Sequence, residues 1–286
     1  MKETELNIRK MGRDELNVAV EWAAKEGWNP GLDDAEVFWQ TDPDGFIALE
    51  KDGDLIGSGS IVSYNGEFGF MGFFIVKPEH RGKGIGTKLW YYRRDKLLGR
   101  LKEGAIIGMD GVFDMQSFYA EGGFKFSHRN LRMESIAFSA HYSGNVVKIT
   151  PKDFEKINRF DKKFFGFERK TFLEGWLNMK HSTPFMYVED SEIKGYGVVR
   201  KCRTGFKIGP LFAIDFEIAD ELFKTLSSVA DGDSIYLDVL EVNKNAMKLA
   251  KKYKMKESFG TARMYYGKAP NLPYSQIYGV TTFELG

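Results

Sequence analysis

The residues best suited to chemistry lie in one run, Arg81-Gly82-Lys83-Gly84-Ile85-Gly86-Thr87. Its alternating glycines remove the Cβ atoms that keep main-chain N–H groups away from a ligand, and Arg81 and Lys83 add positive charge at the same mouth. If a helix begins there, its first amides lack intrahelical acceptors and the macrodipole adds partial positive charge, so the run suits a diphosphate. The flanking sequence supplies the elements. Phe68 to Val76 is an apolar and aromatic run that predicts a strand buried on both faces, ended by Lys77-Pro78 because proline offers no ladder donor. Beyond the glycines, Thr87-Lys88-Leu89-Trp90-Tyr91-Tyr92 returns apolar side chains at helical spacing. Strand, loop and helix thus aim a set of backbone amides at one point.

Two common phosphate motifs do not fit. No Gly-Lys-Ser/Thr closes the loop, and no Gly-x-Gly-x-x-Gly opens a parallel unit near the start of the chain with an acidic residue about 20 positions on. A strand ending Val76-Lys77-Pro78, followed by Arg81-Gly82-Lys83-Gly84-Ile85-Gly86, closely resembles the acetyl-coenzyme A (acetyl-CoA) loop of the GNAT acyltransferases, Arg/Gln-x-x-Gly-x-Gly/Ala. The resemblance implies that residues 81–87 hold the cofactor's diphosphate. It also implies that Phe74, Ile75 and Val76 pair with the pantetheine arm, and that Gln116 and Tyr119, after Met109-Asp110-Gly111-Val112, complete the site.

It further implies direct attack of a neutral amine on the acetyl carbonyl, with no metal. A backbone N–H of Phe74 or Ile75 would hold the developing oxyanion. Tyr119, four residues before Gly123-Phe124, would give a proton to the departing thiolate, since a phenol with a pKa near 10 is protonated at neutral pH. Asp110, expected at the end of a strand, is the first candidate to take the amine's proton, and Glu67 is the second. Trp28 and Asn29, in the break Gly27-Trp28-Asn29-Pro30-Gly31, would border the acceptor. Each residue also has a plainer reading: Tyr119 as core, Asp110 as a turn or cap, Glu67 as a solvated edge charge, Trp28-Asn29 as a helix terminator.

The chain of 286 residues suits two domains, and 43% hydrophobic with 28% charged residues is a globular balance. A net charge of +1 offers no global field for nucleic acid or an anionic membrane. The first residues are charged and no run of about 18 apolar residues occurs, so neither leader nor span is expected and the expected location is cytoplasmic. Cys202 is the one cysteine, which excludes an internal disulfide and a thiolate metal cluster. His80, His128, His141 and His181 lack metal-ligand spacing. Aromatic residues reach 15%, enough for a bulky core or an aromatic-walled pocket. Arg200, Arg203 and Lys207 form a basic cluster beside Cys202. On a solvated strand edge it would be neutral to function; facing a cleft it would favour an acceptor with a carboxylate or phosphate.

In order, the pattern predicts a strand at 5–11, helices at 13–25 and 32–40, a hairpin through Lys51-Asp52-Gly53-Asp54, the strand, loop and helix described above with the helix reaching Lys102, a strand at 105–109, a short helix at 115–121 and a strand at 125–138. The order then repeats. Met11 to Leu16 aligns with Ile149 to Phe154, where Thr150, Pro151 and Asp153 form a helix start, and Gly72 to Val76 aligns with Gly209 to Ala213. In the same alignment Arg81, Gly84 and Gly86 become Ile218, Glu221 and Phe223, too bulky and too acidic for a diphosphate.

The fold class expected is α+β: two tandem GNAT-like modules, each a mixed, mostly antiparallel twisted sheet flanked by helices. Residues 1–140 would be a catalytic domain binding acetyl-CoA, and 145–286 a degenerate copy shaping the acceptor pocket. The function expected is N-acetyl transfer to a small-molecule amine. The alternatives are a CoA-binding sensor or assembly module without turnover, and a transferase of a larger acyl or aminoacyl group.

Overall fold

The computed structural model describes residues 6–140 and 144–286; His141 lies outside the described residues. The first half runs β1 (Leu6–Lys10), α1 (Arg13–Lys25), α2 (Asp34–Thr41), β2 (Phe46–Lys51), β3 (Asp54–Tyr64), β4 (Phe68–Val76), α3 (Ile85–Leu98), β5 (Ile106–Val112), α4 (Gln116–Glu121) and β6 (Lys125–Ile136). The second repeats that order as β7 (Val146–Lys148), α5 (Phe154–Phe165), α6 (Lys170–Leu177), β8 (Ser182–Glu189), β9 (Glu192–Lys201), β10 (Phe206–Ala213), α7 (Phe216–Ser228), β11 (Ser234–Leu240), α8 (Lys244–Lys252) and β12 (Lys256–Tyr266), then adds β13 (Ile277–Gly279).

Local chemistry explains the element ends. The β2–β3 turn uses Asp52 and Gly53 at positive φ (53° and 89°), the combination a tight hairpin demands. Thr150 starts the second copy's first helix through its hydroxyl and amide, both donating to Asp153 at 2.7 and 2.9 Å. Two boundaries differ from expectation. The α3 helix stops at Leu98, because Gly99 and Arg100 close it as a turn, and β5 continues through Gly111 to Val112, placing Asp110 inside a strand.

All the strands join in one sheet, with spatial order β1-β2-β3-β4-β5-β12-β6-β11-β10-β9-β8-β7 and β13 added beside β10. Pairing is antiparallel except β4–β5 and β10–β11. The middle of the order shows an exchange: β12 of the second copy lies against β5 of the first, and β6 of the first lies against β11 of the second. Each copy is completed by the other's last strand, so the backbone ladder crosses from one module to the other without a break.

Apolar faces follow the same plan. One cluster lies under α3 and includes Leu89, Trp90 and Leu97; another lies under α7 and α8. A third is shared, with α1 and α2 meeting α5 and α6, so that Phe38 stacks on Trp176 at 6.3 Å. Of the basic cluster, Arg200 and Lys207 do not lie on a solvated edge: they sit on inner strands, 1% exposed, Arg200 paired with Asp34 and Lys207 Nζ donating to the Asn29 carbonyl at 3.1 Å, whereas Arg203 stays exposed and pairs with Glu21.

Candidate functional site

The α3 helix begins where Gly84 adopts φ 72°, and Gly82 has the same φ two residues earlier. A Cβ at either glycine would have no atom within 4 Å, so glycine is required there for conformation, and the mouth of the loop stays uncluttered. The first-turn amides of Ile85, Gly86 and Thr87 lack helical acceptors and face this mouth with those of the loop. Arg81 folds back on the strand: Nε donates to the Val76 carbonyl at 2.6 Å and Nη2 to Glu26 at 2.5 Å. Lys83 Nζ donates to the Glu79 carbonyl at 2.7 Å. Ile85 buries its side chain under the helix, leaving its amide alone for a ligand.

At Phe73 (φ 48°) a bulge interrupts the β3–β4 ladder, between the pairs Ser60–Gly72 and Ser58–Ile75. On its other side β4 pairs with β5 only from Phe68 to Met71, and beyond Met71 the two strands part. On the side away from β3, Phe74, Ile75 and Val76 therefore have no partner strand and border a cavity of about 420 Å³, which Gly82, Gly84 and Thr87 close at one end; of their carbonyls, that of Val76 already accepts from Arg81. Trp28, Phe74, Val112 and Tyr119 are shared with a narrow throat of about 50 Å³ at the apex of the opening. Phe259 separates the throat from a recess of about 270 Å³, lined by Gly27, Asn29, Arg203, Glu134 and Tyr236.

Tyr119 stands where cleft and throat meet. Its ring lies 4.8 Å from Trp90, and Gly111 is glycine because a Cβ there would collide with that ring. Burial pushes the phenol up to about 12, with the Arg93 cation pulling the other way, so it keeps its proton across the neutral range. Asp110 also lines the throat, but its carboxylate is taken: Arg263 Nε and Nη2 donate to it at 2.9 and 2.6 Å, and Asn130 Nδ2 at 2.8 Å. Glu67 is not brought to the site. It precedes β4 at the end far from the cleft, roughly 20 Å along the strand, and accepts from Lys102 Nζ at 3.2 Å.

Trp28 is brought to the site by its ring, while its carbonyl accepts from Arg132 Nη1 at 2.7 Å. Asn29 instead clasps the other module, with Nδ2 donating to the Thr204 carbonyl (2.9 Å) and Oδ1 accepting from the Thr204 amide (3.0 Å). Gln116 begins α4 outside the cleft lining, and Met115 and Phe118 take that wall.

The same two units emerge from comparison with known proteins. Residues 14–124 match the acetyltransferase (GNAT) family, and residues 157–279 match an acetyltransferase (GNAT) domain. The chain belongs to the GNAT acetyltransferases, with two such domains in tandem. As a GNAT protein it is an acyltransferase. A holothin acyltransferase of Pseudoalteromonas sp. (strain SANK 73390) is 29% identical over 96% of this chain and 92% of its own. In fold, a putative acetyltransferase from Pyrococcus horikoshii superposes with a TM-score of 0.83 at 22% identity, covering 98% of this chain and 96% of its own. A tandem GNAT protein from the clavulanic acid biosynthesis pathway superposes at 0.64 and 11% identity, covering 93% and 100%.

The second GNAT module has no cradle, for a reason the sequence alignment misplaced. Ile218, Glu221 and Phe223 do not occupy a turn; they lie within α7, which starts almost at once after β10. The long loop of the first module shrinks here to Ile214 and Asp215, and the Asp215 carboxylate accepts the Ile218 amide at 2.9 Å, capping the helix with an anion of the chain's own. The strand opening is filled as well. Between β10 and β11, where the first module has its cleft, β13 pairs with Leu211 and Phe212.

Residues 280–286 then reach the first module, where the Glu284 carbonyl packs against Gly72 so closely that a Cβ there would collide with it. Phe283 and Glu284 thereby enter the throat wall. Sequence reading missed these two, together with Phe259, because neither their distance along the chain nor their type marks them. It also missed Arg93, for which a signal existed: the residue falls four places after Leu89 and four before Leu97, on the core-facing stripe of α3.

Proposed function

We propose that the first GNAT module binds acetyl-CoA in the cleft beside β4 and transfers the acetyl group to the amine of a small polar molecule. The observation that carries this reading is the meeting, in one cavity, of the open amide cradle at 82–87, the edge of 74–76 away from β3 and the Tyr119 side chain. The space above Gly82 and Gly84 fits a diphosphate, and the free β4 edge fits the amides of a pantetheine arm. When bound, the thioester supplies an acyl carbonyl activated toward amines.

The residues of the chain then do the following. The amides of 82–87 bind the diphosphate, and an N–H of Phe74 or Ile75 holds the carbonyl oxygen as negative charge grows on it. Tyr119 holds its proton for the sulfur that leaves. Asp110 positions the strands, because its carboxylate is committed to Arg263. The carboxylate left on the throat wall is that of Glu284, buried and bonded to the Thr282 hydroxyl, and we assign it the amine's proton. The acceptor enters by the recess at Gly27 and Asn29, which both modules build. The relative that acylates holothin matches across both modules, which supports acyl transfer at such a shared site.

Calorimetric titration of wild type and Gly84→Glu with CoA tests the cradle, and mass spectrometry of an amine and amino-acid library incubated with acetyl-CoA tests the transfer. The expected result is loss of binding in the variant and an acetylated product with wild type. Unchanged affinity in Gly84→Glu would remove the basis of the reading, and binding without any acylated product would leave a CoA-binding module without turnover.

A further inference from the structure

Arg81 is not a free cation at the amide mouth. Nε donates to the Val76 carbonyl at 2.6 Å and Nη2 to Glu26 Oε1 at 2.5 Å, so two of its three guanidinium nitrogens are used within the chain. Glu26 balances its charge, and an anion could claim Nε or Nη2 only by breaking one of these bonds. Lys83 is held as well, by the Glu79 carbonyl. What the mouth offers an anion is therefore main-chain amide, which Gly82 and Gly84 leave uncovered.

The pair connects two walls of one cleft. Glu26 caps the C-terminal end of α1, its amide donating to the Trp22 carbonyl at 3.0 Å, and both Glu26 and Trp28 line the cavity opposite Val76 and Arg81. A second tie runs beside it: Lys77 Nζ lies 5.5 Å from the centroid of the Trp22 ring. The end of β4 needs such support. Beyond Met71 it has lost β5, the bulge at Phe73 breaks its ladder with β3, and past the bulge only the pairs Ser58–Ile75 and Gly57–Val76 remain. The cavity of about 420 Å³ exists with the ion pair formed, so the pair frames the cleft without filling it.

We propose that Glu26 and Arg81 are positioning residues for the pantetheine arm of the donor: Glu26 holds Arg81, Arg81 holds the Val76 carbonyl, and the β4 edge is thereby fixed against the end of α1. This rests on the reading that the cleft binds CoA. It goes beyond that reading by giving Glu26 a part and by taking the Arg81 side chain out of the diphosphate contacts. A carboxylate on the wall of a site for a polyanion is otherwise unfavourable, since like charges repel.

The test is calorimetric binding of CoA and of 3′-phosphoadenosine 5′-diphosphate, which is CoA cut off before the pantetheine arm, to wild type, Glu26→Ala, Glu26→Gln and Arg81→Lys. Side-chain exposures of 37% for Glu26 and 47% for Arg81 let these variants fold, which melting curves verify. Glu26→Ala removes the acceptor of Nη2, and Arg81→Lys keeps the charge but lacks the fork that reaches two acceptors at once. Each is expected to weaken CoA about tenfold, the scale of one charge-assisted hydrogen bond, with the arm-less fragment bound within about twofold of wild type. Glu26→Gln keeps an oxygen for Nη2 and should retain most of the CoA affinity. The contrast between Glu26→Ala and Glu26→Gln separates bond from charge on CoA alone, whatever the fragment's affinity. Equal weakening of both ligands would place the effect at the diphosphate and overturn the proposal. Unchanged CoA affinity in Glu26→Ala or Arg81→Lys would overturn it too, and tighter CoA binding in both Glu26 variants would reduce Glu26 to a repelling charge. Each of these outcomes leaves CoA binding by wild type intact, whereas failure of wild type to bind CoA would remove the underlying reading and this inference with it.

Discussion

Asp110 on β5 stands directly opposite Arg263 on β12, and the two form a buried bidentate ion pair between strands of different modules. The second module repeats the arrangement in reverse: Asp238 on β11 faces Arg132 on β6, with Nε and Nη2 donating at 2.7 and 2.8 Å. Burial alone would raise the Asp238 carboxyl, but the Arg132 charge outweighs it and holds it below the usual range. Because the pair recurs in a module without a cradle, its explanation lies in joining exchanged strands rather than in the reaction.

Removing one partner of such a pair leaves a charge stranded in the core. Arg263→Met should therefore lower unfolding free energy by about 3–5 kcal/mol. The double variant Asp110→Leu with Arg263→Met should regain most of that loss. Urea midpoints check both, and a double variant as unstable as the single one would contradict the account.

On the proposed mechanism, Tyr119→Phe removes the proton held for the sulfur while keeping the ring against Trp90. Turnover should fall by roughly 10²-fold or more with CoA affinity nearly unchanged. The buried phenol's pKa is raised to about 12, above that of the unfolded chain at about 10. The stability it contributes is thus complete below about pH 10 and lost as pH rises through about 12. Between pH 6 and 9, then, wild type should show no alkaline fall in turnover from this group. Such a fall, absent from Tyr119→Phe, would count against the assignment.

His128 supplies the acid-side counterpart. Burial pushes its imidazole down to about 3, with Arg263 acting the same way, whereas the unfolded chain takes up a proton near 6.5. Stability should therefore drop as pH falls from about 6.5 towards 3. His128→Gln should flatten that part of a plot of melting temperature against pH, and an unaltered slope would show that other groups cause it.

The cleft was legible in the sequence to the extent that backbone conformation wrote it. Gly82 and Gly84 are required by their positive φ and the strand Phe68–Val76 by its unbroken apolar run, whereas Tyr119 was indicated by the resemblance to the GNAT acyltransferases. The repeat was legible because both modules obey the same hydrophobic periods. The strand exchange was not, since β6 and β12 have equivalent patterns and either would complete either sheet. Register across a shortened loop was also lost: α7 shifts by several residues once Asp215 caps it directly. Glu284 and Phe259 reach the throat through pairings distant in sequence, which no local pattern encodes.

The central claim, one working cradle and one that the chain has closed with its own Asp215 and β13, is tested most directly by the stoichiometry of CoA binding. Calorimetric titration of the full chain should give one site per molecule, abolished by Gly84→Glu. Two sites per molecule, or one site that survives Gly84→Glu, would contradict the account.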